Sequence, residues 1–246
     1  MARKSRAFRI SRRIGRFSGD RRVLALLVLG ALFLAGRAYV AEHPEDNPAA
    51  PLNLNDPKGW ATHTKIMALR GNIPECRAVL ERSDIAFNAL DPAGEGDCAR
   101  PDRLQLGEYP LSPSQPQMTC PVAIGLELWQ RNTLEPLAEE IFGSGIARVE
   151  HLGTYSCRRL YGRGSGPWSE HATGNAIDIA GFRLEDGTRI SVLNDWDGED
   201  DEARFLRAAR DGACDAFATT LSPDYNDAHS DHFHLDMDSR WSSVCR

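Results

Sequence analysis

Between His232 and Met237 the chain reads HFHLDM, polar and apolar residues in strict alternation. A period of two is the signature of a β-strand, whose successive side chains point to opposite faces. Such a strand buries Phe233, Leu235 and Met237 and presents His232, His234 and Asp236 together. Same-face neighbours stand about 6.6–7 Å apart. Two imidazoles so placed can both hold a metal ion at about 2 Å, or one can hold it while the other meets a bound water. His229 lies just upstream in HSDHFH, with Asp231 between, so six residues hold three of the seven histidines. A metal site still needs donors from elsewhere.

The stretch SEHATGNAID, Ser169 to Asp178, offers them. His171 precedes a turn-like ATGN. Asp178 stands between Ile177 and Ile179 in a run, AIDIAGF, that reads as a central strand. A carboxylate buried there is costly unless it is paired. Hydrogen bonds to the backbone would satisfy it, and so would a metal ion. Two His donors and one Asp leave a fourth position open on zinc, the arrangement of catalytic rather than structural sites.

Charge is distributed unevenly. Residues 1–22 hold nine Lys and Arg against one acid, a net of +8, so the whole-chain value of −6 leaves −14 on the remainder. An acidic body excludes nucleic acid as the expected partner, because phosphate binding needs a basic face. The basic head instead precedes an apolar run, VLALLVLGALFLAG, that resumes as AYVA after Arg37. With Arg37 snorkelling, about 19 residues can span a bilayer. Tyr39 stands where a small residue would mark a cleavage site after Ala41, which favours an uncleaved anchor over a cleaved signal peptide. The positive-inside rule leaves the head in the cytoplasm and the body in the periplasm. Cys76, Cys98, Cys120, Cys157, Cys214 and Cys245 are scattered, without a C-x-x-C pair. In an exported body they predict disulfides.

Four parts follow: a basic cytoplasmic head (1–22), an anchor or signal segment (23–41), a Pro- and Asn-rich linker (42–59) and one domain (60–246). Helices are predicted over 74–81, 121–130, 134–142 and 199–211. Strands are predicted over 103–109, 146–152, 176–182, 189–193 and 232–237. Helices packed on a mainly antiparallel sheet make the domain α+β.

SEHATGNAID fits S-x-H-x-x-G-x-A-x-D, and in this resembles the first metal motif of zinc peptidases that cleave D-alanyl peptides in peptidoglycan. HFH is similar to the H-x-H motif shared by lysostaphin-type endopeptidases, D-Ala-D-Ala peptidases and the hedgehog N-terminal domain. With His229 it becomes H-x-x-H-x-H, which resembles the penicillin-insensitive murein endopeptidases. The stretch from Cys120 to Trp241, including YSCRRLYGR and HATGNAIDIAGF, most closely resembles the bacterial extensin-like C-terminal domain family. The similarity covers about half the chain.

The resemblance implies a hedgehog/D-Ala-D-Ala peptidase-like fold with Zn²⁺ on His171, Asp178 and His234. It implies His232 as base or electrostatic partner of a bound water whose pKa the metal lowers toward 7. His229 would lie behind the ligands or face substrate. Ser169 and Arg158, or equally Arg159, would meet the substrate, an arginine there gripping a carboxylate through two parallel bonds. The E-x-x-H glutamate of D-Ala-D-Ala dipeptidases has no counterpart at matching spacing, so dipeptidase specificity does not carry over. The expected function is a zinc peptidase acting on peptidoglycan stem peptides or cross-links, anchored to the inner membrane. The alternatives are a non-catalytic peptidoglycan-binding domain that retains the metal site, and a periplasmic metal-binding protein with no role at the wall.

Overall fold

A computed structural model describes residues 18–239 and 243–246; the first 17 residues of the basic head lie outside the described residues. The first element is α1 (Ser18–Glu42), none of whose apolar stretch is buried. It is long and apolar enough to cross a membrane, with a mean hydropathy of 2.2.

The body begins with α2 (Thr62–Ala68) and α3 (Ile73–Arg82), the latter capped by Asn72, whose side chain accepts from the Glu75 amide at 3.3 Å. A small ribbon pairs β1 (Phe87–Ala89) with β2 (Leu104–Leu106). Then come β3 (Leu111–Ser112), α4 (Cys120–Trp129) and α5 (Glu135–Phe142), followed by β4 (Ile146–Gly153), β5 (Ala176–Leu184) and β6 (Arg189–Ser191). Last are α6 (Val192–Asp195), α7 (Asp201–Ala216), β7 (Thr219–Leu221), β8 (Phe233–Asp236) and β9 (Val244–Cys245). The two helices predicted over 121–130 and 134–142 are continuous, joined by a π-helical turn at Gln130–Leu134.

The main sheet runs β3-β4-β5-β8-β7-β9, with β6 pairing β5 beyond the end of β8. Its centre is antiparallel as predicted, but β3–β4 and β7–β9 are parallel, so the sheet is mixed. In β5 the large buried side chains are Ile177 and Ile179, then Phe182 and Leu184. The phase slips by one because Ala180 is an extra residue opposite the Glu150–His151 step of β4. This β-bulge turns Asp178 to one face while keeping Phe182 in the core.

The core lies between the sheet and α4, α5 and α7. Trp129 meets Phe182 and Phe217 edge-on, and its indole donates to the Ala209 carbonyl at 2.8 Å. Gly125 lets α4 approach, since a Cβ there would stand 2.7 Å from both Met237 and Phe217. All six cysteines pair as expected: Cys76–Cys120 joins α3 to α4, Cys98–Cys157 joins two loops, and Cys214–Cys245 ties β9 to α7.

The segment 42–59 differs from the predicted linker. Leu52 and Leu54 are buried in the core, and the Leu54 amide donates to Ser83 Oγ at 2.9 Å. Asp46 accepts from the Tyr39 hydroxyl at 2.7 Å and from the Trp60 amide at 3.0 Å, while Lys58 pairs with Asp215. Two leucines give this polar stretch enough apolar area to pack, so it lies against the body.

Candidate metal centre

The ladder between β5 and β8 sets Asp178 directly opposite His234, flanked by the pairs Ile177–Leu235 and Ile179–Phe233. The apolar partners enter the core, and the Asp–His pair faces a cleft of about 490 Å³. His171 reaches the same point from a short 3₁₀ turn, Glu170–Thr173. Ser169 caps that turn, its Oγ accepting from the His171 amide at 3.3 Å. Gly174 ends it at φ 71°, a left-handed conformation suited to glycine, and β5 starts two residues later.

Three donor atoms converge. His171 Nε2 lies 3.1 Å from Asp178 Oδ1 and 3.1 Å from His234 Nδ1, and His234 Nδ1 lies 2.9 Å from Asp178 Oδ1. Ligands at 2.0–2.1 Å around a tetrahedral ion are about 3.3 Å apart, so the cluster is only slightly tighter than a zinc shell.

The outer contacts of each ring strengthen the argument. His171 Nδ1 lies 3.1 Å from the Thr154 carbonyl, which can only accept, so that nitrogen carries the proton and Nε2 is bare when the ring is neutral. His234 Nε2 lies 3.0 Å from Asp236 Oδ2, which leaves Nδ1 bare in the same way. Two imidazole lone pairs and a carboxylate then face one another with no hydrogen between them. Only a cation or an added proton relieves that repulsion, and backing contacts of this kind are what orient metal-binding histidines.

Electrostatics of the metal-free cluster agree. Burial pushes the His234 pKa down, but bonds to Asp178 and Asp236 and their charges outweigh it and raise it to about 9. Burial raises the Asp178 carboxyl, and the bonds from His171 and His234 reverse this and hold it far below the ordinary carboxylate range.

The remaining predicted residues surround this triad. His232 sits just before β8, its Nε2 3.6 Å from Asp178 Oδ1 and its Nδ1 2.7 Å from Asp231 Oδ1. His229 lines the cleft, with ring centroids 5.3 Å from His232 and 6.0 Å from His234. The structure separates the two arginines. Arg158 lines the cleft, whereas Arg159 stacks on Trp168 at 4.3 Å and donates to the Gly166 carbonyl. Ser169 also lines the cleft, but its oxygen is engaged in capping the turn that carries His171.

Several contributors escaped the sequence reading. The Thr154 carbonyl orients His171 and, being backbone, leaves no signature. Asp236 stands on the strand face that the alternation identifies, two residues after His234, and it is only its contact with His234 Nε2 that the sequence leaves unassigned. Asn226 holds His229, its Oδ1 2.8 Å from His229 Nδ1, and Tyr161 lies against Asn226 at 3.3 Å.

No curated protein and no solved structure matches the chain. A family match covers residues 74–246, more than two thirds of the chain, and includes both cleft-forming strands and every donor of the triad. The chain therefore belongs to the family described as extensin-like protein C-terminus.

Proposed function

We propose that this protein is a zinc-dependent peptidase of the cell envelope that acts on peptidoglycan stem peptides or cross-links. The observation that carries the reading is the meeting of three potential ligand atoms, from His171, Asp178 and His234, at the floor of an open cleft, with a fourth imidazole beside them. Among the described residues this is the one cluster of His, Cys, Asp or Glu placed to hold an ion. His171 Nε2, Asp178 Oδ1 and His234 Nδ1 would hold it. A bound zinc ion supplies Lewis acidity for a scissile carbonyl and a nucleophile at neutral pH.

The chain's own residues supply the rest. His232 donates from Nδ1 to Asp231, so its Nε2 faces the triad as the atom that accepts a proton and returns it to the leaving amine. The Arg158 guanidinium, which makes no ion pair among the described residues, is placed to hold a substrate carboxylate. The likeness of SEHATGNAID and HSDHFH to the motifs of murein and D-alanyl peptidases supports peptidoglycan as the substrate. The apolar helix α1 and the three disulfides support a periplasmic body held at the inner membrane.

The test is incubation of the purified protein with peptidoglycan, with and without a chelator, followed by mass analysis of the soluble products. New peptide fragments that vanish with chelator are expected. Retention of the protein on peptidoglycan with no fragment in either condition would favour a non-catalytic wall-binding domain.

A further inference from the structure

We propose that Tyr161 and His229 together receive an amide group of the substrate, and that Asn226 is the positioning residue that makes one of them a donor and the other an acceptor. The substrate class rests on the peptidase reading above; the placement of the hydrogens does not.

Asn226 precedes the 3₁₀ turn Asp227–His229, and its Oδ1 accepts the backbone amide of Ala228 at 3.0 Å. A backbone N–H can only donate, so the orientation of the Asn226 side chain is fixed. The same Oδ1 lies 2.8 Å from His229 Nδ1, which must therefore carry a proton. His229 is thus the tautomer whose hydrogen sits on Nδ1. Its Nε2 is then a bare acceptor, with no hydrogen-bond partner among the described residues, on a side chain that lines the cleft.

The other end of Asn226 is now determined as well. Its Nδ2 lies 3.3 Å from Tyr161 Oη and donates to it. The phenolic hydrogen is not used in that bond and is left for the cleft, which Tyr161 also lines. Tyr161 adopts φ 56°, left-handed backbone that a residue with a Cβ seldom takes. Such conformations concentrate at functional sites. One donor and one acceptor held by a single side chain complement the C=O and N–H of a peptide group. They do not suit a carboxylate, which the bare Nε2 would repel.

The test uses zinc-loaded full-length protein labelled with ¹⁵N-histidine. Long-range ¹H–¹⁵N spectra should show His229 protonated on Nδ1, with that preference lost in Asn226→Ala. A proton on Nε2 in the parent protein overturns the proposal. Titration with a synthetic stem pentapeptide then reads the donor. Asn226→Asp keeps an acceptor for Ala228 and His229 but turns the phenolic hydrogen away from the cleft. Both Asn226→Asp and Tyr161→Phe should weaken binding about 2- to 10-fold, the range of one hydrogen bond, with the His229 tautomer unchanged. Unaltered affinity in both variants also overturns it. A parent protein with the expected tautomer that binds no pentapeptide counts against the peptidase reading, and the amide-receiving role falls with it.

Discussion

His234 Nε2 lies 3.0 Å from Asp236 Oδ2, two residues farther along the same strand. That contact decides which ring nitrogen faces Asp178 and His171. Asp236 is almost fully buried and also accepts from the Asp238 amide at 2.9 Å, so the carboxylate is held in place from both sides.

Asp236→Ala should weaken zinc binding roughly 10- to 100-fold, the usual effect of removing a partner that backs a metal-binding histidine. The triad donors are untouched, so the loss comes from a His234 ring free to change tautomer and tilt. Competition with a chromogenic chelator measures it, with circular dichroism reporting the fold. Parent-like affinity would show that Asp236 does not orient His234.

The roles given to His232 and His234 separate in a pair of variants. His234→Ala should lose metal and peptidoglycan cleavage together. His232→Ala should keep the metal and lose about 10²- to 10⁴-fold in rate, the contribution typical of general acid–base assistance. Metal content by atomic absorption is read beside fragment release. Equal metal loss in both variants would make His232 a ligand and remove it as the base.

Much of this site is legible in the sequence because it is local. The alternation around His234 and the flanking of Asp178 by isoleucines identify the two strands and the residues that share a face. Other features depend on contacts distant in sequence. The bulge at Ala180 is a relation between β5 and β4, and AIDIAGF alone does not show where the phase slips. Leu52 and Leu54 are two apolar residues in a polar stretch, and only their burial against the body distinguishes them from a linker. The seven-residue α2 and the two- and three-residue strands β3, β7 and β9 are too short for periodicity to register. Asn226 and Tyr161, 65 residues apart, meet only in the fold.

The Cys98–Cys157 disulfide closes the chain immediately before Arg158, at the base of the loop that carries Tyr161 and Trp168 over the cleft. Replacing both cysteines by serine should lower stability by about 2–4 kcal/mol. It should also weaken stem-peptide binding more than zinc binding, since the triad lies outside that loop. Denaturant unfolding and the two titrations measure these effects. Equal weakening of both would mean that the bond supports the metal centre as a whole.

The pH dependence of the metal-free protein follows from His234. Its folded pKa, about 9, lies above the ordinary value of about 6.5. Below pH 6.5 both folded and unfolded states hold the proton, and the stabilisation from the charged ring between Asp178 and Asp236 is fully present. Between 6.5 and 9 the unfolded chain releases the proton while the folded protein retains it, so stability declines; above 9 the contribution is gone. The chelator-treated protein should therefore show a melting temperature that falls across that window. The His234→Gln variant should lack this component of the fall. Zinc removes it too, because the ion takes the place of the proton at Nδ1 and stabilises the folded state by mass action. Below pH 9 zinc binding should accordingly release a proton, measurable as a dependence of binding enthalpy on the ionisation heat of the buffer. A melting temperature that is flat from pH 6.5 to 9 in the metal-free parent would show that His234 is not held charged between the two carboxylates.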